Sequence, residues 1–166
     1  MPIRDTIAIV ASDDEKALEV ADAVWLNNQR VLLVAKYPGQ MMQALQTIQD
    51  EYPLAEVEVM DCMKEGCWEA DLILLNIEEE DVVPVASLIR EVAVQKPVVR
   101  LIWDSDATAK MIRLQQLMTH AKVVVAQQMN RTCNFQLTGD DPDTLRGIQT
   151  ILKCKSGDAN GVSGGR

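Results

Sequence analysis

Residues 6–28, TIAIVASDDEKALEVADAVWLNN, decide the fold. The stretch opens with a short apolar run, Ile7 to Val10, which has no room for helical periodicity and is typical of a buried strand. From Ala17 to Trp25 the apolar residues recur at helical spacing and predict an amphipathic helix. A second apolar run, VLLVA, begins at Val31. Strand, tight turn, helix and strand in this order predict a right-handed βαβ unit.

The two ends of this helix also carry sequence signals. Ser12 lies three residues before Glu15, which predicts a capping box. In such a box the serine hydroxyl accepts a hydrogen bond from the backbone N–H of Glu15, and the glutamate side chain reaches back. Asn27 and Asn28 are expected to close the helix, because Asn tolerates the left-handed conformation.

Apolar runs and amphipathic stretches alternate along the rest of the chain. They predict strands near residues 6–11, 30–35, 56–60, 72–77, 98–103 and 122–127, with an edge strand near 135–138. This pattern predicts an α/β fold, a Rossmann-like doubly wound three-layer α/β/α sandwich with a mostly parallel sheet. The strand order 3-2-1-4-5-6 is preferred, and the flavodoxin-like order 2-1-3-4-5 is the alternative. Residues 1–154 are expected to form this single domain, and residues 155–166 a glycine-rich tail.

Composition excludes several classes of partner. The chain has 166 residues and a net charge of −9, which argues against binding nucleic acid or an anionic membrane surface. No apolar run has the length of a membrane span, and the N-terminus lacks the apolar region of a signal peptide. We therefore expect a cytoplasmic protein with reduced cysteines. Four cysteines at irregular spacing and a single histidine make a poor zinc pattern, so no metal is expected.

The turn after the first strand departs from the pattern of dinucleotide-binding proteins. Those proteins carry Gly-x-Gly-x-x-Gly at this point, whereas the three positions here are Ser12, Asp14 and Ala17. The second glycine lets the backbone approach a pyrophosphate, and Asp14 places a side chain and a negative charge there. The residues expected around a cofactor are Ser12, Asp13, Asp14 and Asn76, which ends the fourth strand. Catalytic residues are not assigned.

Three segments of the chain resemble the nucleotide-binding domain of the deazaflavin-dependent NADP oxidoreductase family. They are EADLILLNIEEEDVVPVASLI, similar to the family's fourth strand and following helix, HAKVVVAQQMN, similar to its sixth strand, and FQLTGDDPDTLRGIQTIL, similar to its Gly-Asp-Asp segment and last helix. The likeness covers residues 6–153. It implies a Rossmann domain and NADP as the cofactor. It also implies that Lys36, at the position of the family's arginine after the second strand, meets the 2′-phosphate of NADP.

Acidic residues cluster at the predicted helix starts, along the edge where this fold binds ligands. They form either a site for a cation, a metal or a basic partner, or a set of helix caps, since carboxylates are favoured at helix N-termini. The second interpretation is preferred. The acids are Asp13, Asp14, Glu15, Glu78, Glu79, Glu80, Asp81, Asp104 and Asp106, facing Lys16, Lys36 and Lys110.

Three functions are compatible with these features. The leading hypothesis is a Rossmann-fold protein related to NADP oxidoreductases, with weakened or lost dinucleotide binding, that acts as a binding or assembly module. The second is an active NADP-dependent oxidoreductase that holds NADP through Lys36. The third is a flavodoxin-like or receiver-like signalling domain. A homodimer is expected, with residues 123–135 and the last helix as the contact, and the small-molecule ligand is unassigned.

Overall fold

The computed structural model describes residues 5–35, 38–103, 106–129 and 135–152. They form seven strands in one sheet with helices on both faces. The strands are β1 (Thr6–Ala11), β2 (Arg30–Val34), β3 (Glu56–Met60), β4 (Leu72–Asn76), β5 (Pro97–Ile102), β6 (Lys122–Gln128) and β7 (Phe135–Gly139). The α-helices are α1 (Asp14–Ala23), α2 (Met42–Glu51), α3 (Met63–Glu69), α4 (Val82–Ile89), α5 (Ala107–Leu117) and α6 (Pro142–Ile151). Short 3-10 turns, Pro38–Met41 and Glu79–Asp81, precede α2 and α4.

The order of the strands is β3-β2-β1-β4-β5-β6-β7. Strands β1 to β6 are parallel, and β7 is an antiparallel edge strand on β6. In register, Ile7 of β1 lies opposite Val31 of β2 and Leu72 of β4. This confirms the predicted Rossmann-like sandwich and its order. The flavodoxin-like alternative is wrong, and the signalling hypothesis that depended on it falls with it.

Side chains that alternate along each strand pack into two separate cores, one on each face of the sheet. Ile7 and Ile9 point into the layer of α1, α2 and α6, whereas Ala8 and Val10 point into the layer of α3, α4 and α5. Every residue of β1 is buried, as expected for a central strand that is covered on both faces. The last helix, α6, begins after Asp141, whose carboxylate accepts a hydrogen bond from the Thr144 N–H at 3.0 Å.

The predicted capping box at the start of α1 is wrong by one residue. Asp13 is the N-cap, and its carboxylate accepts a hydrogen bond from the Lys16 N–H at 3.0 Å. The Ser12 hydroxyl has no hydrogen-bond partner among the described residues. Asp and Ser are equally good N-caps, so the local sequence does not distinguish a helix that starts at Asp13 from one that starts at Ser12.

The predicted end of α1 is also wrong. The helix stops at Ala23, and Val24 is extended because it forms an antiparallel bridge with Leu152. The Trp25 N–H donates to the Ile151 carbonyl at 2.7 Å, and the Trp25 side chain is 47% exposed instead of lying on the apolar stripe. Asn28 does adopt the left-handed conformation, with φ of 56°, but in the loop before β2. Distant backbone contacts therefore override the helical pattern.

Candidate functional site

The start of α1 lies at the carboxyl end of β1, where doubly wound sheets bind ligands. In dinucleotide-binding proteins the free N–H groups of this helix meet the pyrophosphate. Here the Asp13 carboxylate already accepts from the Lys16 N–H, so the chain's own anion occupies one of these donors. The first turn of the helix adds Asp14 and Glu15. The helix end that would attract a phosphate is thus closed by carboxylates.

Asp14 makes a second connection that the local sequence does not reveal. Its carboxylate accepts a hydrogen bond from the Ala44 N–H at 2.8 Å, in the first turn of α2. The residue at the N-cap position of α2, Met41, has no side chain that can cap, so Asp14 supplies the missing acceptor from another helix. This contact ties α1 to α2 and keeps the Asp14 carboxylate beside the phosphate turn.

A groove of about 530 Å³ runs beside this turn, between α1 and the start of α2. The groove begins at the helix start where a Rossmann fold binds the phosphates of a dinucleotide. A 2′-phosphate in this groove would face several carboxylates at close range. The lining residues are Asp13, Asp14, Glu15, Leu18, Glu19, Asp22, Gln40 and Gln43.

Asn76 belongs to the same region but is held by other protein groups. It ends β4, is 2% exposed, and lies opposite Ala11 of β1. Its side-chain N–H group donates to the Lys16 carbonyl at 2.8 Å and to the Glu19 carboxylate at 3.0 Å. Asn76 therefore anchors α1 to the sheet. Of the predicted cofactor residues, Ser12, Asp13, Asp14 and Asn76 come together at the start of α1, and Lys36 lies outside the described residues.

Most of the acidic rim is engaged within the protein. Asp106 caps α5 by accepting from the Ala109 N–H at 3.1 Å. Glu78 lies 3.7 Å from the Lys16 ammonium. The hydrogen bond from Lys110 to Glu79, together with the nearby Arg100, holds the pKa of Glu79 below its ordinary value. The Asp106 contact agrees with the interpretation of the acids as helix caps, whereas Glu78 and Glu79 form ion pairs instead. Asp104 lies outside the described residues.

Arg100 is a residue that the sequence analysis missed. It lies in the middle of β5, in the run PVVRLI, and is only 4% exposed. One of its terminal guanidinium nitrogens, Nη1, lies 3.5 Å from the Glu79 carboxylate, and its Nε has no hydrogen-bond partner among the described residues. The sequence does contain a signal for it, a single charged residue inside an apolar strand. Buried charges are rare unless they are paired, so such a residue indicates a partner or a function.

The described cysteines and the histidine show no sign of a chemical site. Burial raises the pKa of the Cys67 thiol to about 12, which keeps it protonated and unreactive at neutral pH. Cys62 is exposed at the start of α3, and His120 is exposed after α5. Within the described ranges no three His, Cys, Asp or Glu side chains converge as metal ligands. Every helix in those ranges is too short or too polar to cross a lipid bilayer.

Comparison with solved structures finds similar folds in reductases and dehydrogenases. A pyrroline-5-carboxylate reductase from Coxiella burnetii superposes with a TM-score of 0.62 at 11% identity, over 89% of this chain and 55% of that one. A 3-hydroxyisobutyrate dehydrogenase from Mycobacterium tuberculosis gives 0.60 at 15% identity, over 89% and 50%. A protein from an Arthrobacter species, described as an F420-dependent NADP reductase, gives 0.59 at 15%, over 88% and 78%.

No protein-family model and no curated protein sequence matches the chain. The chain spans about half the length of the first structural neighbours. At identities of 10 to 15% the likeness to these and to the Arthrobacter protein concerns the fold. The chain thus has a Rossmann-like fold.

Proposed function

We propose that this protein is a Rossmann-fold binding and assembly module, related to NADP oxidoreductases, in which the dinucleotide site has been weakened by the protein's own carboxylates. The observation that carries the proposal is the start of α1. There Asp13 occupies the Lys16 N–H and Asp14 is fixed beside it by the Ala44 N–H. A pyrophosphate would have to displace the first carboxylate and bind next to the second.

The expected loss of affinity follows from the charges. Two like charges about 4 Å apart repel by roughly 4 kcal/mol at an effective dielectric near 20. Even a third of that energy is close to a tenfold loss in affinity. We therefore expect NADPH to bind with a Kd on the order of hundreds of micromolar or weaker.

Calorimetric titration of NADPH into variants of the turn tests this proposal. Replacing Asp13 and Asp14 together by Gly removes both charges and frees the Lys16 N–H, and should tighten binding about tenfold or more. Asp106→Gly is the matched control, because Asp106 caps α5 through the same kind of hydrogen bond, away from the turn. This variant should lose a similar cap without any gain in affinity. Micromolar binding of NADPH by the unmodified protein would contradict the proposal and favour an active oxidoreductase.

The second candidate function, an active NADP-dependent oxidoreductase, is favoured by the structural neighbours. They include reductases and dehydrogenases, among them the F420-dependent NADP reductase. In this case Lys36 would meet the 2′-phosphate, as the family resemblance implies. Lys36→Met should then weaken the binding of NADPH without changing the affinity for NADH, because only NADPH carries the 2′-phosphate. If the unmodified protein and Lys36→Met bind NADPH with equal affinity, the result would count against this candidate.

We further propose that the assembly is a homodimer. The contact expected from the sequence is residues 123–135 and the last helix. Val123 to Ala126 are buried inside the monomer between β5 and β7, and the rest of that contact stays a prediction. Large exposed apolar side chains are concentrated instead on or next to α3, α4 and α5. They are Trp68, Val83, Leu88, Val94 and Ile112. Apolar surface of this kind is typical of interaction sites.

Light scattering tests the homodimer. The unmodified protein should have twice the chain mass of 18.4 kDa at micromolar concentration. Leu88→Glu, at a side chain that is 53% exposed, should give a monomer. Leu54→Glu is the control, because Leu54 is 76% exposed near the other face of the sheet. An unmodified protein of 18.4 kDa would rule out the dimer.

A further inference from the structure

The guanidinium of Arg100 is buried on the face of the sheet that carries α3, α4 and α5. Arg100 alternates with Val98 and Ile102, whose side chains belong to the core of that layer. A charge in this position is costly, and a buried ion pair is often no more stable than apolar residues of similar size. The position of Arg100 therefore needs a reason other than packing.

The ion pair that Arg100 makes is incomplete. Its partner, Glu79, lies on the short 3-10 turn after β4 and has a side chain that is 55% exposed. The separation of 3.5 Å between Nη1 and the carboxylate is long for a charge-assisted hydrogen bond. Nε has no hydrogen-bond partner in the part of the chain that the structure describes, although it belongs to an edge through which arginine can hold a carboxylate with two parallel hydrogen bonds.

A second cation shares the same carboxylate. The Lys110 ammonium, on α5 and 20% exposed, also pairs with Glu79. Among the described residues, these two cations therefore share one contacting carboxylate, and Arg100 itself has little access to water. We propose that Arg100 and Lys110 form a binding site for a small organic carboxylate, and that Glu79 fills this site when no ligand is bound.

The surroundings limit the class of ligand. Glu80 is exposed on the same turn, Asp81 is half-buried there, and Glu78 precedes them. These acids repel anions, and the repulsion grows with the charge of the ligand. The site therefore suits a singly charged carboxylate better than a phosphate group. Because Arg100 is buried, the ligand carboxylate takes the place of Glu79, and the turn from Glu79 to Asp81 moves outward.

Arg100 lies on the opposite face of the sheet from α1, so acetate binding is read at Arg100 itself and not through NADPH binding at the phosphate turn. The probe is sodium acetate, with inorganic phosphate for comparison and sodium chloride to hold ionic strength constant. The Arg100 Nε–H resonance is followed in a two-dimensional nitrogen–proton spectrum, where Arg100→Met identifies it by its loss. Arg113→Met, at an exposed arginine on α5, is the control for this assignment.

Glu79→Gln is the decisive variant. It removes the internal competitor, which acts at an effective concentration on the order of millimolar, and should tighten acetate binding about tenfold or more. Glu80→Gln removes an equivalent charge from the same turn without touching Arg100, and should change the affinity much less. Lys110→Met should weaken binding in the Glu79→Gln background.

A saturable shift that is stronger in Glu79→Gln than in Glu80→Gln supports the site. If Glu79→Gln shows no saturable shift beyond that of chloride, Arg100 and Glu79 form only a structural ion pair and the proposal is overturned. Tighter binding of phosphate than of acetate would overturn the assignment to a carboxylate. Should Arg100→Met fail to fold, the comparison of the two glutamate variants and Lys110→Met still decides the question.

Discussion

The link from Asp14 to the first turn of α2 gives the sharpest prediction for stability. Asp14→Ala removes the acceptor of the Ala44 N–H, a hydrogen bond of 2.8 Å in a partly buried position. Hydrogen bonds to charged groups contribute about 1.5 to 3 kcal/mol, and replacing an N-cap by Ala costs about 0.5 to 2 kcal/mol. Allowing for partial exposure, we expect a loss of about 1 to 2 kcal/mol in the free energy of unfolding.

Urea denaturation followed by circular dichroism measures this loss. The midpoint should fall while the m-value stays constant, because the surface exposed on unfolding is unchanged. In thermal melts the same loss corresponds to a decrease in Tm of about 2 to 8 °C for a domain of this size. Asp14→Asn keeps a neutral acceptor and should fall between the wild type and Asp14→Ala.

Glu15→Ala is the control for the general effect of an acid in the first turn of α1. Glu15 is exposed in the same turn, and its loss should cost only the interaction with the helix dipole, about 0.3 to 1 kcal/mol. If Asp14→Ala and Glu15→Ala lose the same stability, the link between α1 and α2 contributes nothing and the reasoning fails.

Three further predictions concern other parts of the molecule. Gly139→Ala should destabilise the protein by about 1 to 3 kcal/mol, because the new Cβ would lie 2.8 Å from the Val123 carbonyl oxygen. Gly147→Ala, where a new Cβ would have no atom within 4 Å, should stabilise α6 by about 0.5 to 1 kcal/mol. Urea midpoints of the two variants that move in the same direction would contradict this. Lys96→Met should lower the free energy of unfolding by about 1 to 3 kcal/mol, because the ammonium donates to the Cys67 and Trp68 carbonyls at the end of α3. Lys64→Met breaks only an exposed ion pair, which contributes about 0 to 1 kcal/mol. Equal losses of stability in the two variants would contradict this prediction. The pKa of Glu79 is lowered in the folded protein, so its ion pair stabilises the fold above the ordinary carboxyl pKa of 4.5, and this stabilisation is lost as pH falls through the lower folded pKa. In urea melts, the stability advantage of the wild type over Glu79→Gln at pH 6 should therefore shrink below pH 4.5. An advantage that grows below pH 4.5 would contradict this.

The strands were predictable from sequence because strands buried on both faces consist of continuous apolar runs. LILLN and PVVRLI are covered on both faces, and β4 and β5 begin and end within one residue of the prediction. The helix ends were less predictable. Asp13 and Ser12 are both good caps, and α1 stops early because Val24 pairs with Leu152, a residue that no local pattern connects to it.

The candidate site was predictable only in part. The acidic turn of Ser12, Asp13 and Asp14 is visible in the sequence because glycine is absent from the positions where it is expected. The contact between Asp14 and Ala44 is not visible, since the two residues are 30 positions apart and belong to different helices. The pairing of Arg100 with Glu79 depends in the same way on which strands are neighbours, and an arginine in an apolar run says nothing about its partner.

The bridge between Val24 and Leu152 also has a consequence for how the protein is made. A ribosome releases the N-terminal part of the chain first, at about 5 to 20 residues per second. The segment after α1 can therefore emerge and collapse early, but its backbone partner at the end of α6 is synthesised after all the other described elements. Until Leu152 leaves the exit tunnel, Val24 and Trp25 lack the partners that hold them extended, and helical propensity is free to continue α1 past Ala23. The native end of the first helix is thus fixed only after nearly the whole domain has been translated.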